Sequence, residues 1–504
     1  MPDAALQSTT ENATYHQLEE AFATLAALRG VMGILHWDAA VIMPEISAHA
    51  RGEQMAGLSQ IMHERMADPH MGQLLDEAEY KQAELDDTQQ ANLREMRRQW
   101  KHANAVDVAL VKEMALVTSE SEMAWRTARK NNDFAGFLPH LQKVMELVRT
   151  KAQQMGDALD LAPYDALMDT YDPDTRMVEV DAVFERLKQE LPTLRSEAMV
   201  WQTENVTLQP LTAHYPVAKQ HELAEFLARK LGFSGRLDVS THPFCGGATG
   251  DVRITTRYNE ADFMDALQGV LHETGHALYE QNRPQAWRNQ PVGHARGMST
   301  HESQSLLVEM QLCRSRAFLT FATPHIRQFL QADEPGINAE NLYRIGTRVK
   351  PGLIRVRADE VCYPSHVIMR YELEKALISG ALDVADLPDA WAAQMEEKLG
   401  ITPQDDTNGC LQDIHWPGGQ FGYFPTYTLG AMMAAQWFAA LQRAVPDWEA
   451  QTEKGEFEAI TGWLKQHVHE PASRYSRQEL LKRATGEELN ADIYLAHLKQ
   501  RYVG

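Results

Sequence analysis

Apolar residues recur at helical spacing along most of the chain. Leu18, Phe22, Leu25 and Leu28 line one face of a helix predicted over 15–30. The stretch from about 84 to 131 is polar and nearly free of Gly and Pro, and predicts one long surface helix or two in tandem. Further helices are predicted over 134–156, 177–205 and 217–231, with Pro163, Pro173, Pro192, Pro210 and Pro216 as punctuation. The pattern turns alternating at 234–258. There, 237–242 and 251–258 read as two short strands around a Gly-rich turn at 243–247. Helical patterning resumes at 261–283, 301–331, 338–349 and 366–380, and through most of the C-terminal third. No repeat, low-complexity segment or compositional break divides the chain. The expected fold is mainly α, a single domain over 1–504 with a small β element near its middle.

One uncharged run, 421–441, raises the question of a membrane span. It contains Gly422, Pro425, Gly430 and Gln436, and its helical part is expected from about Thr428. That leaves fewer than the roughly 20 residues a span needs, so a buried core helix after a loop is expected, and no membrane association.

Composition narrows the function classes. A chain of 504 residues buries a sizeable core without disulfides or a structural metal, so a metal here would serve chemistry. Lys and Arg number 48 against 70 Asp and Glu, a net charge of −22. Such a surface repels phosphate backbones, and no basic run offsets it, so nucleic acid is not an expected partner. Cys245, Cys313, Cys362 and Cys410 form no CxxC pair. The polar N-terminal stretch lacks the basic and apolar runs of a signal peptide. Free thiols and a cytoplasmic location are expected.

The chemistry-bearing motif is HExxH at His272, Glu273 and His276, within a helical pattern that includes Phe263, Leu267, Val270, Leu271 and Leu278. On a helix, positions i and i+4 share a face, so both imidazoles can reach one zinc at about 2.0–2.1 Å. Glu273 then lies where a general base for water is wanted. Gly275 in a helix interior costs about 1 kcal/mol against Ala, which points to a close approach there. A catalytic zinc takes a third protein ligand. Glu302, near the start of a helix capped by Ser299 or Thr300, is one candidate; His301 competes with it. Glu309 is a candidate partner behind a ligand.

Several separated motifs resemble the carboxypeptidase Taq family of zinc metallocarboxypeptidases. They are His242-Pro243-Phe244; Asp251, Arg253 and Thr255; the HExxH itself; His301, Glu302, Ser303 and Gln304; Ile354, Arg355, Ala358 and Asp359; and Gly409, Gln412, Asp413, His415 and Trp416. His36-Trp37-Asp38 and Met43-Pro44 resemble the family's N-terminal segment. The resemblance implies a helical body with a deep substrate groove, similar to neurolysin-type oligopeptidases. It implies one zinc per chain with Glu302 as third ligand; the same ligands also suit cobalt. It also implies a homodimer that removes C-terminal residues from peptides.

Peptide hydrolysis further needs an oxyanion donor and a cation for the terminal carboxylate. His415, Tyr423 and Tyr427 are the donors in the Gly-rich 409–427 segment, and the resemblance favours Tyr423 and His415. Arg253, Arg348, Arg355 and Arg357 are the candidate cations. Arg355 comes first by resemblance and Arg253 second, with Asp359 and Asp251 as the acids near them in sequence. By the same resemblance, the HPF loop at 242–247 is expected at the closed end of the groove. HExxH alone also fits an oligopeptidase or dipeptidase cutting elsewhere, or a metal-binding scaffold. The intact Glu273 argues against the scaffold.

Overall fold

The computed structural model describes residues 13–503. Its helices follow the apolar spacing closely. The first, α1 (Ala13–Val41), buries Tyr15, Leu18, Phe22 and Leu25 and runs beyond the predicted end. It is followed by α2 (Ala48–Met66). The long polar stretch is two helices in tandem, α3 (Asp87–Asn104) and a second over Val108–Asn131. Asp86 caps α3 by accepting from the Thr88 and Gln89 amides, and Gln89 reaches back to the Asp86 amide. Pro192 does not punctuate: the helix Met177–Asn205 runs through it.

The β element holds three strands, not two. β1 (Arg236–Val239), β2 (Cys245–Ala248) and β3 (Asp251–Thr256) lie in the order β1-β3-β2. β1 is parallel to β3 and β2 antiparallel to it. The Gly-rich turn therefore supplies a strand of its own. Its glycines hid it from alternation, since Gly246 and Gly247 carry no side chain to alternate. Gly247, at φ +100°, has no room for a side chain against the Asp251 carbonyl, and where α1 crosses the strand it is Gly33 that must be glycine, since a Cβ there would run into the Gly247 carbonyl.

Three further helices position the site: α4 (Phe263–Gln281), α5 (Gly297–Leu306) and α7 (Pro425–Ala444), with α6 (Tyr363–Ser379) behind them. Asp262 caps α4, its carboxylate accepting from the Met264 amide at 2.9 Å. The expected helix over 301–331 breaks. A π-helical turn, Leu307–Cys313, follows α5, and a new helix opens at Arg316 under the Ser315 cap. Neither Ser299 nor Thr300 caps α5. Asp172, from a distant loop, accepts from the Ser299 amide at 3.1 Å and its hydroxyl at 2.6 Å. α7 starts at Pro425, earlier than expected, and is buried almost all round. Among the described residues no helix is long and apolar enough to cross a membrane.

Candidate functional site

α4 and α5 pack close enough that their backbones nearly touch. A Cβ on Gly275 would stand 2.6 Å from the Ser305 Cα, which is why glycine sits in mid-helix. α7 closes the third side, where a Cβ on Gly430 would meet the Glu302 Cβ at 2.9 Å. This packing brings donor atoms of His272, His276 and Glu302 within 4.8 Å of one another. Glu302 Oε2 lies 3.5 Å from His276 Nε2 and 3.9 Å from His272 Nε2. Two ligands about 2.0–2.1 Å from a tetrahedral zinc stand about 3.3–3.4 Å apart, so this nitrogen, nitrogen and oxygen set fits a catalytic divalent cation.

The ring atoms facing away are held. His272 Nδ1 is 2.9 Å from Glu309 Oε2, and Arg314 grips the other Glu309 oxygen at 2.6 Å. Glu309 sits in the π-helical turn, a device common at functional sites. His276 Nδ1 is 2.6 Å from His301 Nδ1, and His301 Nε2 is 3.0 Å from Glu280 Oε1. Arg283 pairs with Glu280 at 3.0 Å. His301 thus stands behind His276, outside the three-residue cluster.

The electrostatics differ on the two sides. Against the cost of burial, the Glu309 hydrogen bond and the Glu302 charge push His272 up to about 10. Burial, with His301 alongside, brings His276 down to about 4. Burial lifts Glu273 to about 7, with His272 opposing and Glu302 reinforcing. A buried carboxylate titrating near neutrality, beside a cluster that could hold a metal ion, is suited to take a proton.

On the other side of the cluster stand Tyr363, Tyr423 and Tyr427, each raised first by burial and also by the Glu302 charge, opposed at Tyr363 and Tyr427 by Arg355. Tyr423 stands edge-on to Tyr171 and Tyr427, at 5.0 and 5.2 Å. Burial and Arg355 lower His415 to about 4, so its imidazole is neutral. Its Nε2 is 3.3 Å from the Tyr427 hydroxyl, and its Nδ1 is buried without a partner. Arg355 does not pair with Asp359, whose carboxylate accepts from the Lys350, Val361 and Cys362 amides. Its partner is Asp413, reached by Nε at 3.1 Å and Nη2 at 2.8 Å, while Nη1 donates to Tyr363 at 2.8 Å. Arg370 holds the second Asp413 oxygen at 2.6 Å. Two arginines share one carboxylate, so this pocket keeps a positive surplus. Arg253 pairs with Asp251 as expected, at 2.9 and 2.5 Å, against the Trp37 ring.

The family model for carboxypeptidase Taq (M32) metallopeptidases matches residues 17–502. The chain belongs to this family. It is a metallocarboxypeptidase, a hydrolase of peptide bonds, and the family implies a bound metal ion. It is 38% identical to thermostable carboxypeptidase 1 of Thermus thermophilus, over 98% of this chain and 99% of that one. It is 35% identical to carboxypeptidase 1 of Bacillus subtilis, over 94% of each. Its structure is similar to Trypanosoma cruzi metallocarboxypeptidase 1, with TM-score 0.96, 40% identity, and 97% and 99% of the two chains covered. It is also similar to the M32 carboxypeptidase of Deinococcus radiodurans R1, with TM-score 0.92, 34% identity, and 97% and 98% covered.

Within this M32 fold, sequence reasoning missed Asp413, Arg370 and Tyr363 around Arg355, and Glu280 behind His301. Asp413 lies in a motif already singled out, but nothing in sequence links it to Arg355, 58 residues away. Glu280 lies four residues after His276 and so on the same face of α4, which was a weak signal. Glu374 gave none. Fully buried on α6, it accepts from Tyr164 at 2.6 Å, Trp416 at 2.8 Å and the Gly422 amide at 2.9 Å, which ties down the loop carrying His415 and Tyr423.

Proposed function

We propose that the enzyme removes single C-terminal residues from peptides with one zinc per chain, held by His272, His276 and Glu302, and that cobalt can replace it. When bound, the cation lowers the pKa of a water and polarises the scissile carbonyl. Glu273 takes the proton of the attacking water as its oxygen bonds the carbonyl carbon. The same carboxyl then gives that proton to the leaving amine as the C–N bond breaks. Tyr423, with His415 beside it, donates to the oxyanion. The surplus positive charge at Arg355 attracts the substrate's terminal carboxylate. Arg253 is the second choice, because Asp251 already neutralises it. The observation that carries the reading is the convergence of three unshared donor atoms beside the buried Glu273.

The chain is read as one catalytic unit working on peptides as a homodimer, which sedimentation would check. Its four unpaired cysteines suit a reducing, cytoplasmic setting. The reaction is tested with two N-blocked tripeptides, one a free acid and one amidated. Cleavage of the free acid alone is expected; equal cleavage of both indicates an oligopeptidase. Arg355→Ala should lower activity on the free acid by about 2–5 kcal/mol and leave any residual cleavage of the amide unchanged. Equal loss on both would pass the role to Arg253.

A further inference from the structure

α1, α2 and α3 wall a cavity of about 310 Å³ whose lining includes Arg29, His63, Arg98, His102 and Thr170. In a chain of net charge −22, this lining is basic. Arg29 makes one polar contact, donating from Nη2 to the Gln99 amide oxygen at 2.8 Å. No carboxylate among the described residues pairs with it. Burial lowers its pKa with nothing opposing. The nearby acids are already engaged. Arg94, Arg98 and Arg296 share Glu95; His102, Arg98 and Arg176 share Asp169; and Asp174 pairs with Arg296. A guanidinium offers five N–H donors in a planar fork, and a partly buried one left unpaired is costly. It is suited to an oxyanion brought from outside.

Packing links two walls of the cavity to elements of the catalytic site. Arg29 lies one turn before Gly33, which packs on the Gly247 carbonyl of β2. On the same strand, the Glu273 and Glu280 charges bear on Cys245. On the opposite wall, Thr170 precedes Tyr171, whose ring stands edge-on to Tyr423 at 5.0 Å.

We propose that this cavity is an anion subsite in which Arg29, flanked by Arg98, His63 and His102, receives a carboxylate, either an acidic side chain of the bound peptide or a free dicarboxylate. The peptide source rests on the carboxypeptidase reading; the free source does not, so separate arms keep the two failures distinct. In the first arm, N-blocked peptides share the C-terminal residue and scissile bond and carry Glu or Gln at one upstream position at a time. At one position the wild type should show a KM roughly tenfold lower for Glu than for Gln, the effect of one charge-assisted hydrogen bond. kcat should be unchanged, and Arg29→Met should erase the preference. In the second arm, succinate binding is measured by calorimetry on the metal-loaded protein at constant ionic strength, with NaCl as control. Saturable binding lost in Arg29→Met supports the free source. Arg29→Lys keeps the charge without the fork, so it should keep a weaker preference even if the Met variant folds poorly. No Glu preference at any position together with no saturable succinate binding in the wild type, or either effect surviving unchanged in Arg29→Met and Arg29→Lys, overturns the proposal.

Discussion

Two buried ionic clusters stand on either side of Tyr363, Tyr423 and Tyr427, and they are built in opposite ways. In the first, His272, His276 and Glu302 hold their outward atoms toward a common point, and every strong hydrogen bond lies behind them, on Glu309 and His301. In the second, Arg355 and Arg370 close on Asp413, with Gln412 accepting from Arg370 Nη2 and from the Arg355 amide. Both are buried and both have displaced pKa values. What separates them is convergence without satisfaction: the first cluster needs something from outside, whereas the second is nearly complete and retains only a net positive charge.

The largest effect should come from the first cluster. Glu273→Gln should keep the metal and lower kcat by about 10²–10⁴, the range for removing a general base. Metal content and turnover measured on one sample decide it. A variant with full metal that kept more than roughly a hundredth of the rate would remove Glu273 from the role of base.

The next test sets the clusters against each other. Asp413→Asn should destabilise the fold by about 3–5 kcal/mol, because two buried guanidinium groups lose their shared anion. Thermal unfolding should shift down equally with and without chelator. Glu302→Ala should do the reverse. It should abolish metal uptake and the chelator response, and leave the metal-free unfolding temperature close to that of the wild type. If Asp413→Asn unfolds no earlier than the wild type, the contrast between an open and a closed cluster fails. His301→Ala serves as the control for Glu302→Ala, since His301 Nδ1 lies on His276 Nδ1 outside the cluster.

The open cluster was legible in the sequence because its chemistry is local. Helical periodicity puts His272 and His276 on one face, and a mid-helix Gly275 signals a close approach; the residues alone left Glu302 and His301 both open as third ligand, and the family resemblance favoured Glu302. The closed cluster was not, because Arg355 and Asp413 are 58 residues apart and no period links them. The nearest acid in sequence, Asp359, serves instead as a backbone cap. The same reason explains the caps: Ser299 looked like an N-cap, but Asp172 caps α5 from 127 residues away. The β2 strand was hidden because its glycines give no alternation. Tertiary pairing, not local propensity, decided each of these.

The last contrast lies inside the open cluster, between the supports of its two histidines. If both histidines hold the metal through Nε2, as proposed, the proton of each ring sits on Nδ1. His272 then donates straight to a carboxylate, Glu309. Glu309→Gln should weaken metal binding by roughly 10–100-fold, as outer partners of ligating histidines do. His276 instead donates to His301 Nδ1, which fixes the His301 proton on Nε2 and directs it to Glu280 at 3.0 Å. The anion behind His276 is therefore one imidazole further away; an arginine partly neutralises each anion, Arg283 at Glu280 and Arg314 at Glu309, so distance is what separates the two supports. Glu280→Gln should accordingly cost less than Glu309→Gln, under roughly tenfold in metal affinity, because its charge reaches the ligand only through a neutral ring. His301→Asn, which can still accept from His276 Nδ1, should lie closer to wild type than His301→Leu, which cannot. Competition titrations with a metal-binding dye measure all four variants on one scale. Equal losses for Glu280→Gln and Glu309→Gln would mean that the two supports are equivalent and that the intervening histidine transmits the carboxylate's full effect.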